Sequence, residues 1–436
     1  MLNSSLLRRD SLMKEDFLHY LWKFKLFNNE LVTTHGEPVQ VLKCGEHNKN
    51  SGPDFFNAKI KIGNTTWAGN VEIHVKASDW NHHGHQKDKA YRNIILHAVH
   101  EADAENADLN GNEIPTVQLK NKFKPELWNQ YEKLFSSRQW IPCANMIETV
   151  DKFTISAWLE RMVIERLEEK IIFIENLLTQ NKNNWEETFY QCLSRNFGFK
   201  LNASPFELLA KSLPAKYLAK HKNNLLQIEA MLFGQAGLLE EKFKDEYPNE
   251  LKREYSFLKN KFSLLPVEKH LWKFARTRPV NFPTLRIAQF AALVHQSSHL
   301  LSLILETKKA KDILKLFDVS ASGYWKTHYR FDHAGKSSEK NLGKSSAENI
   351  LINTVIPFLF LYGKEKNDDY TRNRSLELLE QLPAEKNNII HEWELLKIEA
   401  GSAYRSQGLI QLKNEYCSQK KCLNCGIGNK ILRKIL

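Results

Sequence analysis

The sequence predicts an α+β protein in two parts: an N-terminal α/β domain with a small mixed sheet over residues 1–124, then a larger all-helical domain over residues 125–436. Three observations predict this. Short β-branched and aromatic runs bounded by Gly, Asn and Asp crowd the first part. Apolar residues at three- and four-residue spacing dominate the second. The change of period falls near Lys124. With 436 residues and 42% hydrophobic content the chain can build two or three cores. Only 18 Gly and 13 Pro exclude collagen-like and low-complexity classes.

The elements follow in order. Phe17, Leu18, Leu21, Phe24 and Phe27 recur at helical spacing, so an amphipathic helix is expected over 14–27. Strands are expected over 38–44, 55–62, 67–76 and 93–99, with a fifth over 114–119. Gly63-Asn64 predicts a hairpin turn between the second and third. A short helix over 86–92 follows a His-rich loop. Beyond Lys124, helices are expected over 154–178, 185–195, 205–213, 223–239, 285–305, 376–381 and 392–412, with Pro205, Pro214, Pro266, Pro279, Pro283 and Pro383 at their borders. Residues 319–345 form the long loop of this half.

The formal charge of +11 favours polyanions, and nucleic acid is the expected partner. Residues 1–140 hold 18 basic and 17 acidic side chains, so the surplus lies further along. There, Arg276, Arg278 and Arg286 before an apolar helix, and Tyr324, Trp325, Lys326, His328, Tyr329 and Arg330, carry either a phosphate- and base-binding surface or ordinary packing. The apolar stretch 350–362 is interrupted by Asn353 and Pro357 and is too short to cross a bilayer. Leu6 and Leu7 run into Arg8, Arg9 and Asp10, which does not make the apolar core of a secretory signal. No membrane partner and a cytoplasmic location are expected. Six cysteines are too few for a disulfide scaffold.

Chemistry concentrates at Asp54, after Ser51-Gly52-Pro53, and at Glu72-Ile73-His74 inside a predicted strand. Alternation puts Glu72, His74 and Lys76 on one face. Two carboxylates from adjacent strands, with the carbonyl after the glutamate, make a hard oxygen site for Mg²⁺ or Mn²⁺. Such an ion serves phosphodiester hydrolysis. The bland reading is a turn cap at Asp54 and a Glu72 that pairs with Lys76 or with a neighbouring strand.

This pattern, Pro53-Asp54 and then Glu72-x-His74 in a helix–strand–strand–strand–helix–strand order, resembles the PD-(D/E)XK nuclease superfamily. The resemblance covers about a quarter of the chain and implies a restriction-endonuclease-like fold, with Asp54 and Glu72 holding the metal. The superfamily's lysine is replaced by His74, with Lys76 one step further on the same face. Either residue takes its role, or the site is inactive. Glu15 matches an additional acidic ligand of some members. The whole chain also resembles a family of uncharacterised bacterial proteins, known mainly from Bacteroidota, through SGPDF, GNVEIH, SDWNHHGH, LFGQAGLL, RPVNFPTLRIAQFA and YCSQKKCLNC.

Six of sixteen histidines lie between His74 and His100. His82, His83 or His85 is expected to touch substrate or a second metal, while His97 reads as a core residue. These histidines also support a rival, a histidine-dependent metallohydrolase of a small phosphoester. A third reading is an inactive binding scaffold. Cys417, Cys422 and Cys425 form a cluster lacking a fourth ligand, for which Cys143 is the choice. Zinc is expected there, or an iron–sulfur cluster as in some nucleases of the superfamily. Cys44 and Cys192 are expected to be ordinary buried thiols.

Overall fold

A computed structural model describes residues 13–28, 30–297 and 299–434. Residues 6–10, whose charges argue against a secretory signal, lie outside these. Helix α1 (Glu15–Lys23) carries Glu15 and Asp16 in its first turn, where the helix dipole favours acids, and buries Phe17, Leu18, Leu21 and Trp22. It ends at Lys25, whose φ is +50°.

The sheet contains β1 (Leu31–Val32), β2 (Pro38–Lys43), β3 (Glu46–His47), β4 (Phe55–Ile62), β5 (Thr65–Lys76), β6 (Ile94–Glu101) and β7 (Thr116–Gln118). Their order is β1-β2-β4-β5-β6-β7, with β3 on β4. Pairing is antiparallel as far as β5 and parallel for β5–β6 and β6–β7. A bridge between Thr33 and Val117 brings the two edges together, so the mixed sheet nearly closes on itself. Phe55, Ile60, Val71, Ile73, Leu96, Ala98 and Val117 fill its core. The β5–β6 crossover carries a single helical turn, α2 (Asp79–His82), and 3₁₀ turns at His85–Lys87 and Lys89–Tyr91 where one short helix was expected.

The remainder is helical. It opens with α3 (Pro125–Ser136) and α4 (Lys152–Gln180), then α5 (Trp185–Phe197) and α6 (Phe199–Ser212). The change of periodicity does not mark the division of the chain. Two compact units form, one from residues up to Trp158 together with those from Leu412 onward, the other from Leu159–Gln411. The physical reason is packing. The α3 ring of Trp128 meets Phe17 edge-on at 5.0 Å, and Tyr131 stacks on Phe17 at 5.0 Å, so this helix belongs to the sheet's core. Helical type does not decide which core an element joins.

The second unit is built on one apolar core that includes Phe197, Phe206, Phe233, Phe290, Phe317, Trp325 and Phe358. Pro205 lies inside α6, not at a border, beside a kink where Asn202 leaves helical geometry. The single helices expected over 285–305 and 392–412 are each two, Pro283–Gln296 with Leu300–Glu306, and Asn388–Leu395 with Ala403–Gln411. Of the basic and aromatic residues singled out in this half, Arg286, Trp325 and His328 are buried, whereas Arg276, Arg278, Lys326 and Arg330 are exposed. Trp325 is fully buried, Tyr324 stacks on His328 at 4.0 Å, and Arg330 lies over Phe274 and Phe282. Arg286 is 4% exposed and bonds Gln289, Asn281 and Ser346. Arg286 and Trp325 have packing roles, because a buried guanidinium bonded to three side-chain acceptors has little left for a phosphate.

Candidate metal centre and its histidine relay

The site forms where β4 begins against the middle of β5. A bulge between Phe55 and Ala58, with Asn57 at φ +56°, bends the start of β4. Phe55 pairs with Val71, which sets Asp54 beside Glu72. The two side chains then cap each other's strands. The Asp54 N–H donates to Glu72 Oε2 at 3.1 Å, and the Ile73 N–H donates to Asp54 Oδ2 at 2.9 Å. The two acids expected to meet are adjacent, and part of each carboxylate is occupied by backbone. Asp54 keeps 18% of its side chain exposed and Glu72 5%.

From α1 comes a residue absent from the sequence-based candidates. His19 Nε2 lies 3.2 Å from Asp54 Oδ2 and 3.7 Å from Glu15 Oε1, without the angle of a hydrogen bond. Ligand atoms of Glu15, His19 and Asp54 all lie within 4.8 Å of one another. The signal for His19 was its i+4 spacing from Glu15, which puts both on one helix face. Burial raises Glu15 to about 7, and the charges of Asp54 and Glu72 add to the rise against the lowering by His19. Burial also raises Glu72, opposed by its hydrogen bond from His85. Burial opposes charging of His19, but Asp54 and Glu15 hold its pKa above the ordinary value. Three carboxylates beside one imidazole, with burial opposing the charging of Glu15 and Glu72, form a donor set short of positive charge, which fits a hard divalent ion.

The crossover supplies a second cluster. His85 Nε2 is 3.3 Å from Glu72 Oε1, and its ring stacks on Tyr91 at 4.0 Å. His74 Nε2 lies 3.6 Å from the same oxygen and 3.2 Å from His83 Nδ1. Ring nitrogens of His74, His83 and His85 are all within 4.8 Å of one another. His82 stays outside, 73% exposed and 3.6 Å from Asp79.

Hydrogen-bond direction decides what His74 can do. The Asn106 amide donates to Ala77 O at 2.8 Å and its Oδ1 accepts from Asn81 at 3.1 Å, so its orientation is fixed. The same amide nitrogen lies 3.3 Å from His97 Nδ1, which must therefore accept. His97 then carries its proton on Nε2 and donates to His74 Nδ1 at 2.8 Å. His74 in turn carries its proton on Nε2, facing Glu72 and His83. Burial keeps both rings neutral, lowering His74 to about 2 and His97 to about 4. His74 is thus a neutral donor, and its Nε2 is not a free metal ligand. His97 is fully buried as expected, but as a link in this chain.

Lys76 is not brought into the site. Four strand positions separate it from Glu72, about 13 Å along the strand. It pairs in register with Glu101, and its charge acts on Asp103. Sharing a strand face did not suffice, because distance along the strand grows with every alternation.

The cysteines are buried and reduced, except Cys44, which is half-buried and donates to Trp22 O. Cys143, Cys417, Cys422 and Cys425 act on one another. Burial, reinforced by neighbouring sulfurs, raises Cys143 and Cys422 to about 12, and Cys417 rises well above its ordinary value. Burial raises Cys425 to about 11 against backbone N–H groups of Gly428 and Ile427 that point at its sulfur. Glycine is required at 428, where a Cβ would fall 2.2 Å from Cys422 O. Thiolate sulfur is a ligand type that suits zinc, but among the described residues the ligand atoms that gather within 4.8 Å are those of the two clusters above and not these sulfurs.

The chain belongs to the family described as "Protein of unknown function (DUF2851)", whose model matches residues 15–388. No curated protein and no solved structure matches it significantly.

Proposed function

We propose that this protein is a metal-dependent phosphodiester hydrolase of nuclease type, with a restriction-endonuclease-like first unit, acting on nucleic acid in the cytoplasm. The observation that supports the reading is the convergence of Glu15, His19 and Asp54 within 4.8 Å, with the Glu72 carboxylate capping the Asp54 strand. Asp54, Glu72, Glu15 and His19 hold Mg²⁺ or Mn²⁺. The bound ion supplies Lewis acidity toward a phosphoryl oxygen and a water of lowered pKa. His74 takes the place of the superfamily's lysine as a neutral Nε2–H donor, held in that tautomer by His97 and Asn106. His85 orients Glu72 through the 3.3 Å contact. Cys143, Cys417, Cys422 and Cys425 bind zinc, or an iron–sulfur cluster, as a structural staple for the C-terminal segment. Elemental analysis of anaerobically purified protein tests the staple, which fails if neither zinc nor iron is stoichiometric.

The test of the hydrolase is cleavage of single- and double-stranded DNA and RNA with Mg²⁺ or Mn²⁺. Wild-type protein cuts, and Glu72→Ala does not while melting cooperatively. Salt-sensitive binding without cutting supports the inactive scaffold instead. A second reading, a zinc-dependent hydrolase of small phosphoesters, rests on the His74, His83 and His85 nitrogens within 4.8 Å and requires His74 to give up its Nε2 proton to the ion. Zinc-dependent activity on small esters alone selects it.

A further inference from the structure

The first unit contains a cavity of about 160 Å³ that shares His19 with the metal cluster. Its cations come from two distant parts of the chain, Lys23 on α1 and Lys420 and Lys421 on the loop between Cys417 and Cys422, and Asp16 is the acid on its wall. Tyr131 and Phe135 of α3 form an aromatic side. His47, Gln419 and Asn424 add polar groups to the lining. The loop is held in place. Cys417, Cys422 and Cys425 are buried at its ends, and Lys420 takes a left-handed φ of +52°. The Lys420 ammonium donates to the Phe135 carbonyl oxygen at 2.6 Å, and Lys14 sits 3.4 Å from the centre of the Phe135 ring. A bulky residue in left-handed conformation persists only where its surroundings fix it.

We propose that this cavity is a phosphate subsite for the nucleic-acid strand, with Lys23, Lys420 and Lys421 gripping a phosphate that flanks the one presented to the Glu15–His19–Asp54 cluster. The volume accommodates a phosphate. Three cations against one acid give the pocket the right sign. Shared ownership of His19 places it next to the reacting centre. The inference rests on the hydrolase reading for its substrate. It also gives the cysteine cluster a purpose, since the loop carrying two of the three lysines begins and ends on those thiols.

The experiment measures binding of a fluorescein-labelled single-stranded oligonucleotide, without added Mg²⁺ or Mn²⁺, to full-length Asp54→Ala protein and to the same protein with Lys420→Glu and Lys421→Glu. The charge reversal is expected to weaken binding at least tenfold. It also lowers the slope of log affinity against log salt by about 0.7, the value for one single-strand phosphate contact. Unchanged affinity and slope overturn the proposal, as does an absence of salt-dependent binding in the parent. Lys23→Ala, on a different element, must weaken binding too, and covers a loop variant that fails to fold. Inorganic phosphate must displace the oligonucleotide no better than chloride at equal ionic strength. Stronger displacement assigns the cavity to a free phosphate and overturns the strand assignment. Binding without cleavage by wild-type protein leaves the subsite standing and removes the hydrolase reading. Cleavage indifferent to all three lysines does the reverse.

Discussion

In the first unit, the buried polar groups Glu72, His74 and His97 form a chain that starts at the Asn106 amide and ends among carboxylates at a partly open edge. In the second unit, Lys170 of α4 donates to Asn353 Oδ1 at 2.9 Å and Gln407 Oε1 at 2.7 Å, and Gln407 also accepts from Arg166 and donates to Glu385. Glu72, His74 and His97 of the first are buried, whereas Lys170, Arg166 and Glu385 of the second are partly exposed, and the two networks differ in use. In the second, cations reach a carboxylate through one amide, and the circuit closes within the protein. In the first, three acids find histidines and backbone N–H groups as partners, and positive charge is in deficit. A buried polar network is common, but one short of a counter-charge at its open end invites a ligand.

The comparison breaks most visibly at Asp54. Asp54→Ala is expected to reduce metal-dependent hydrolysis by more than the roughly 10- to 100-fold typical of outer-shell partners, with the melting transition retained. Residual activity within tenfold of wild type removes Asp54 from the centre.

Next in size is Lys170, whose pKa is lowered to about 7 by burial, with Arg166 lowering it further and Glu385 opposing. Its folded value lies below the unfolded one, so the unfolded chain binds more protons between about 7 and 10.5. Stability therefore rises with pH across that window, by on the order of a few kcal/mol for this group. Denaturant titrations of wild type and Lys170→Met across the window should differ in slope. Parallel curves show that the ammonium is not confined as the circuit requires.

Asn106→Asp sharpens the reading of the first network. A carboxylate there accepts from His97 Nδ1–H, so both rings reverse and His74 Nε2 loses its proton. Nitrogen-15 NMR of the imidazoles reads the tautomers directly, and activity is expected to fall about 10- to 100-fold as for other outer-shell changes. A gain of zinc affinity at His74, His83 and His85 should accompany the reversal. Unaltered tautomers contradict the relay.

The smallest effect concerns Glu229, 1% exposed, raised to about 7 by burial although Tyr247 donates to it at 2.8 Å. A raised carboxyl contributes stability that is complete below pH 4.5 and lost as pH climbs through about 7. Glu229→Gln should flatten that part of the stability profile by about 1–3 kcal/mol, and an unchanged profile refutes the assignment.

Much of this was legible in the sequence, because it depends on period. Strand β4 falls on the residues expected, and β5 differs by two residues at its start. Helix α4 extends two residues beyond its predicted span at each end. Local alternation also put Glu72 and His74 on one face. What failed were inferences that needed distance. Lys76 shares that face but lies too far along it, while His19 and Asn106 arrive from other elements and left only spacing or nothing as a signal.

The sequence by itself determined the element types, the α+β class and the pair of acids at Asp54 and Glu72, since hydrophobic period and strand alternation are local properties. Only the tertiary structure decided that α3 and the last segment join the sheet's unit. It alone brought His19 to Asp54, and fixed the proton on His74 through Asn106. Those outcomes depend on which surfaces bury one another and on the direction of hydrogen bonds between distant residues, and neither is written in any short window of the chain.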